Sequence, residues 1–283
     1  MNKEYKSAVG AVICDCETYI QEWCCFQYLT GFDIIIICLD RCTDNTLERI
    51  DGLPLKVRQR IEVFDNSPHD PGEGFQYRAY RHIYERYHDK IEWLAMFDDD
   101  EYFYDSRMRK INEMLDDIPD DVSQIVLPWL NFTHSGKILS ATPDVTRLRH
   151  LTKREYRNPI ECKAFVRVDD IVHNEIPSGW YHAHYADVSG REITFDGKNS
   201  TRIADAPTLM MVKHFDTCLA HYIHGAMEDW VKKYKKWKIA QDAIGCPIAW
   251  ENYNYRRFDS NHVEDTRMVP YADELITLLK ECK

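Results

Sequence analysis

The sequence predicts an α/β fold, a mostly parallel central sheet with helices on both faces, followed by a mainly helical C-terminal region. Over the first ~100 residues, apolar or β-branched runs alternate with segments of helical spacing, as βαβ units require. The run Asp33–Leu39 (DIIIICL) is continuous and β-branched, the mark of a strand covered on both faces. Three polar clusters, Asp15–Glu17, Asp40–Asp44 and Asp98–Glu101, each follow a strand-like run. They therefore gather at strand carboxyl ends, where open parallel sheets bind ligands.

Ala8–Cys14 reads as the first strand, closed by a polar turn at Asp15–Thr18. Tyr19–Leu29 has helical spacing, and Gly31 stops it. After the strand Asp33–Leu39 come a loop, Asp40–Thr46, and a helix starting over Thr46–Gly52. Arg60–Phe64 reads as a strand, Gln76–Tyr87 as a helix and Ile91–Phe97 as a strand. Gln124–Leu130 and Ala164–Val168 have strand character, with a turn at Thr133–Lys137 that holds His134, Ser135 and Gly136. From Thr208 the text turns mainly helical, and Ala226–Ala240 carries Trp230 and Trp237 on one face. The expected division is a sheet domain over residues 1–205 and a helical extension over 206–283 packed on it.

With 283 residues, 44% hydrophobic and 29% charged, the composition is that of an ordinary globular chain. A net charge of -11 argues against nucleic acid as a partner, because a phosphate backbone needs a basic footprint. The ten cysteines include no C-x-x-C pair, so a structural zinc site is not expected. Cys24, Cys25 and Cys38 read as small buried hydrophobes, which suits a reducing, cytoplasmic location. The N-terminus lacks a signal-peptide core, and no apolar run reaches the ~20 residues of a membrane span.

Trp93–Phe97 runs into Asp98-Asp99-Asp100-Glu101. Four adjacent carboxylates repel one another, and burying them without partners costs several kcal/mol each. A solvated acidic turn is the plain alternative. In extended geometry Asp98 and Asp100 would share one face and Asp99 and Glu101 the other. Two carboxylates converging there suit Mn²⁺ or Mg²⁺.

The series then becomes specific. Cys14-Asp15-Cys16-Glu17, Tyr19-Ile20-Gln21-Glu22-Trp23 and Gly31 are followed by Asp40-Arg41-Cys42-Thr43-Asp44-Asn45-Thr46. Gln76, the acidic block with Tyr102, and His221-Tyr222, Gly225, Trp230 and Lys233 complete it. In order and spacing this resembles the nucleotide-sugar glycosyltransferases of the GT-A fold, especially the family 2-like and family 92-like groups. Asp15 and Cys16 stand where that family has Lys and Asn, and Gln27 stands at its His.

The resemblance implies a UDP-linked sugar donor lying across the strand ends, its base near Cys14, Glu17 and Asp40. Gln76 and Asp99 join the nucleotide site. Asp98 faces the ribose or the metal, directly or through water, and Asp100 binds the metal, as in a DXD motif. A hydroxyl of a glycan or glycoconjugate, as in polysaccharide biosynthesis, attacks the anomeric carbon with inversion, helped by a carboxylate base. Glu155, Glu161, Asp169 and Glu175 are candidates for that base; Glu161, which precedes the apolar segment Cys162–Val168, is chosen. A further metal ligand is expected from His182 or His184, with His184 preferred; His214 and His221, seven apart, would share a face on a helix. Lys232, Lys233, Lys235, Lys236 and Lys238 form a solvated helix face, a diphosphate contact or, with Trp230 and Trp237, a peripheral membrane contact. A metal-dependent nucleotidyltransferase or phosphohydrolase would also cluster acids on an α/β sheet, but Asp15–Thr18 has no glycine for a phosphate loop. A non-catalytic carbohydrate-binding relative would not need Asp98-x-Asp100.

Overall fold

Strand β1 (Tyr5–Ile13) lies between β2 (Ile34–Leu39) and β4 (Ile91–Met96), parallel to both, and β3 (Ile61–Asp65) extends the sheet beyond β2. The computed structural model describes residues 3–66, 75–155, 162–172, 180–181, 185–186, 188–195, 201–202, 216–233, 235 and 263–283. Helices α1 (Ile20–Thr30), α2 (Thr46–Asp51), α3 (Leu55–Arg58) and α4 (Phe75–Tyr87) fill the connections among these strands. The predicted α/β alternation is thus observed.

The alternating burial of β2 explains its unbroken apolar text. Ile35 and Ile37 face the core that contains Trp23 and Phe26 of α1. Ile34, Ile36 and Cys38 face the other core, with Ala79, Tyr80, Ile83 and Tyr87 of α4. From Ile34 to Cys38 neither side of the strand meets water. Each fully buried side chain of this size contributes about 1.5–3 kcal/mol. Gly10 in β1 is required by close approach: a Cβ there would lie 2.6 Å from Met96 Sδ and 2.8 Å from Ile83 Cδ1. Gly31 caps α1 at φ 96°, a left-handed position that glycine adopts without strain.

The second half continues with β5 (Glu101–Asp105), α5 (Ile111–Asp116), β6 (Val122–Asn131), α6 (Arg147–His150), β7 (Lys153–Arg154) and β8 (Cys162–Arg167). β9 (Trp180–Tyr181) pairs with β10 (Tyr185–Ala186), and β11 (Arg191–Phe195) with β12 (Thr201–Arg202). β13 (Thr217–His221) and β14 (Val263–Glu264) precede the C-terminal helix Ala272–Leu279. The main sheet runs β12-β11-β6-β8-β4-β1-β2-β3. β8 is antiparallel to both neighbours, which brings its first residues beside the carboxyl end of β4.

Beyond Thr208 the described residues are mainly helical, as expected, with a strand the sequence did not announce. Thr217–His221 is a strand, parallel to β6 and antiparallel to β5, and all five residues are buried. The segment after residue 205 therefore supplies a strand to the sheet as well as the helical residues 227–233 and Ala272–Leu279. His221 sits at the end of that strand, so its expected helical pairing with His214 does not apply; His214 lies outside the described residues. Cys24, Cys25 and Cys38 are fully buried, as their sequence context implied. The described cysteines are free thiols. No described helix is long and apolar enough to cross a membrane.

Candidate active site at the strand ends

Leaving β4, the chain turns tightly. Phe97 N donates to the Gly10 carbonyl at 3.0 Å, Glu101 N to the Asp98 carbonyl at 3.1 Å, and Asp98 N to Glu101 Oε2 at 2.9 Å. Asp98, Asp99 and Asp100 are therefore not in extended geometry, and the expected sharing of faces does not hold. Each acid goes to its own partners.

Asp98 Oδ2 lies 3.2 Å from Lys163 Nζ, and its Oδ1 3.4 Å from Gln76 Nε2. The fully buried Glu101 carboxylate is 3.7 Å from the same lysine. Lys163 is itself buried in β8. Asp100, also buried, meets Lys233 Nζ at 2.6 Å and His221 Nε2 at 3.4 Å. Asp99 accepts a hydrogen bond from the Cys16 thiol, and its carbonyl accepts one from Arg147 Nη1 at 3.0 Å. The acids are thus partnered, where the sequence suggested an unpartnered cluster. A lysine inside the apolar run Cys162–Val168 was the visible signal for one partner; nothing local marked Arg147.

These surroundings set the charges. Burial works against ionising Asp100, but Lys233 and His221 outweigh it and hold its carboxyl well below the usual range. Burial, reinforced by Asp100, pushes Asp99 up. Burial, with Asp98 adding to it, raises Glu101 well above the ordinary carboxyl value despite Lys163. Burial also disfavours the Lys163 ammonium, yet Asp98 and Glu101 keep it charged.

His221 is oriented from behind. Asn131 Nδ2 donates to Glu155 Oε2 at 3.3 Å, so its Oδ1 faces His221 Nδ1 at 3.2 Å and assigns that nitrogen the proton. Trp129 packs on the ring with centroids 4.3 Å apart. Nε2 then faces a carboxylate oxygen: with a proton it donates to Asp100 and lowers that carboxyl, and without one it offers its lone pair to a cation between the two. Two acceptors facing each other call for a cation or a second proton between them, so the pair fits a divalent metal. Asp98 faces Lys163 and Gln76 instead.

The turn rests on a buried scaffold. Trp23 Nε1 and Gln27 Nε2 donate to the Glu101 carbonyl at 3.2 and 3.3 Å. Glu22 accepts from the Tyr102 hydroxyl at 2.9 Å and the Arg147 backbone at 3.1 Å. The Arg147 guanidinium sits 3.5 Å over the Tyr19 ring. Glu22 and Gln27 thus hold the acidic turn.

The expected nucleotide residues border the same edge. Cys14 is half-buried after β1. Asp40 is buried after β2 and paired with Arg41 at 2.9 Å. Glu17 accepts from Asn45 N and Nδ2 at 3.2 and 2.9 Å, which ties its loop to the next. Asp15, in the left-handed region at φ 48°, accepts from Thr43 N at 2.5 Å and Asp44 N at 3.3 Å. Its closeness to Cys42 and Asp44 is therefore the ordinary bonding of two loops.

Glu161, His182 and His184 lie outside the described residues, as does Glu175. Among the other base candidates, Asp169 follows the carboxyl end of β8 and pairs with Lys3, just before β1, at 2.7 Å; this is the opposite end of the central strands from the acidic turn. Glu155 stays near the site through Asn131. The cavity lined by Phe26, Leu29, Met108 and Tyr271 includes none of the acids.

No family model matches this chain, nor does any curated protein sequence. Solved structures do resemble it. Glucosyl-3-phosphoglycerate synthase from Mycobacterium tuberculosis, in complex with Mg²⁺ and uridine diphosphate, aligns at 12% identity with a TM-score of 0.31, over 58% of this chain and 57% of its own. The galactosyltransferase LgtC, in complex with donor and acceptor sugar analogues, aligns at 12% and 0.40, over 86% and 99%. A protein described as a glucose-1-phosphate thymidylyltransferase from Bacillus anthracis aligns at 10% and 0.33, over 58% and 72%. The chain thus spans little more than half the length of the synthase. At such identities and TM-scores these likenesses fix neither family nor activity, and the α/β architecture rests on the strand order itself.

Proposed function

We propose that this chain is a metal-dependent glycosyltransferase of the GT-A fold, of the family 2-like or family 92-like kind. It moves a hexose from a UDP-linked donor to a hydroxyl of a glycan or glycoconjugate, with inversion. The observation that carries this is the meeting of Asp100 with the oriented Nε2 of His221 at the carboxyl end of β4, beside Asp98. Asp100 and His221 would hold Mn²⁺ or Mg²⁺, with Asp98 one water away; when bound, the ion acts as a Lewis acid toward the leaving diphosphate.

The protein's own groups do the rest. Gln76 and Lys163 fix the Asp98 carboxylate toward the ribose, and Cys14, Glu17, Asp40 and Asp99 border the nucleotide. A carboxylate of the segment leading into β8, Glu161 or Glu155, takes the proton of the acceptor hydroxyl. The catalytic unit extends past residue 205, because β13 and Lys233 belong to the site. Proton NMR of UDP-α-glucose hydrolysis with Mn²⁺ tests the stereochemistry: β-glucose is expected first, and α-glucose appearing first contradicts inversion.

We also propose a cytoplasmic location with peripheral contact to an anionic membrane through the 226–240 segment. Trp230 packs against His224 at 4.9 Å, so it is not the anchor, and Trp237 lies outside the described residues. Met227 and Val231 are exposed instead, beside Ile138 and Leu139 at 70% and 69% exposure. Met227 N and Glu228 N donate to the Lys137 and Ile138 carbonyls at 3.0 and 2.9 Å, which joins the two into one patch. Such patches favour membrane surfaces. Flotation with phosphatidylserine vesicles is expected for the wild type and lost in I138E/L139E; equal flotation of both contradicts the contact.

A further inference from the structure

The charge of Asp100 is already answered from within the chain. Lys233 Nζ donates to Asp100 Oδ2 at 2.6 Å and to the Ile223 carbonyl at 3.1 Å. Its neighbours on residues 227–235 behave differently. Lys232 is 61% exposed and pairs with Glu228, and Lys235 is exposed. Lys233 alone of these three turns inward, yet it keeps 40% of its side chain in water. It can therefore leave Asp100 without opening a core.

An ammonium and a divalent cation cannot share one carboxylate without cost. Like charges about 4 Å apart repel by several kcal/mol at the effective dielectric of such a site. A diphosphate offers the ammonium more negative charge and more acceptor oxygens than one carboxylate does.

We infer that Lys233 is a resident cation on the metal-binding carboxylate, and that a nucleoside diphosphate draws it away, so that metal and diphosphate bind cooperatively. This rests on the glycosyltransferase reading above. By linkage, the diphosphate tightens metal binding by the same factor as the metal tightens diphosphate binding.

Mn²⁺ titrations followed by electron paramagnetic resonance test it on the full chain, with UDP absent and present and Mn²⁺–UDP alone subtracted. Without UDP, K233M is expected to bind Mn²⁺ roughly 5- to 50-fold more tightly than the wild type, the usual span of such couplings. UDP then strengthens Mn²⁺ binding in the wild type and much less in K233M. K233R, which keeps the charge, and K232M, on the exposed face, bind Mn²⁺ alone as weakly as the wild type. Equal or weaker binding by K233M, with the wild type still taking up Mn²⁺ beside UDP, overturns the resident cation and leaves the metal site standing. K233R binding as tightly as K233M overturns it equally. If no protein takes up Mn²⁺ with or without UDP, the glycosyltransferase reading fails and this inference fails with it.

Discussion

Asp100→Asn is expected to lower metal-dependent sugar transfer by at least about 100-fold, since losing even an outer-shell partner of a metal ligand costs 10–100-fold. The amide keeps the volume and can still accept from Lys233, so the melting temperature should stay near that of the wild type. Asp100→Ala differs. Considered as a member of a repulsive cluster, Asp100 could be removed with stability equal or slightly higher. Its contacts with Lys233 and His221 reverse that expectation. Removing the carboxylate strands a buried imidazole and a half-exposed ammonium, a loss of about 1–3 kcal/mol. Thermal melts and transfer assays on both variants check this. Full activity in Asp100→Asn, or an Asp100→Ala variant as stable as the wild type, would refute the assignment of these contacts.

His221→Asn is expected to weaken Mn²⁺ binding at least about 10-fold. Its effect should exceed that of Asn131→Ala, which removes only the group that orients the ring. His221 is buried against Trp129, so a smaller side chain also leaves a void and lowers the melting temperature. Metal affinity, read by Mn²⁺ titration of folded protein, separates the two effects. If His221 variants keep wild-type Mn²⁺ affinity, the nitrogen ligand is His184 or His182, and those become the substitutions to make.

The parallel half of the sheet was legible because strands covered on both faces write themselves as continuous apolar text, as Ile34–Leu39 does. The acids were legible because Asp98-x-Asp100 follows such a strand. Their partners were not. Lys163 is 65 residues from Asp98 and Lys233 is 133 residues from Asp100, and no local pattern encodes a pairing over that distance. β13 was missed for a related reason: five buried residues are too few to show a period, and their neighbours come from β5 and β6, far back in the chain. The turn geometry of Asp98–Asp100 depends on hydrogen bonds from Arg147, Trp23 and Gln27, none of which adjoins it in sequence.

The central claim, a metal-dependent nucleoside-diphosphate site at the strand ends, is tested most directly by thermal shift of the wild-type protein with UDP. A ligand at 100 times its Kd stabilises the native state by about 2.7 kcal/mol. UDP with Mn²⁺ is predicted to raise the melting temperature by several degrees, and UDP with EDTA to leave it almost unchanged. Equal stabilisation by UDP with Mn²⁺ and with EDTA, or none in either, would contradict the account.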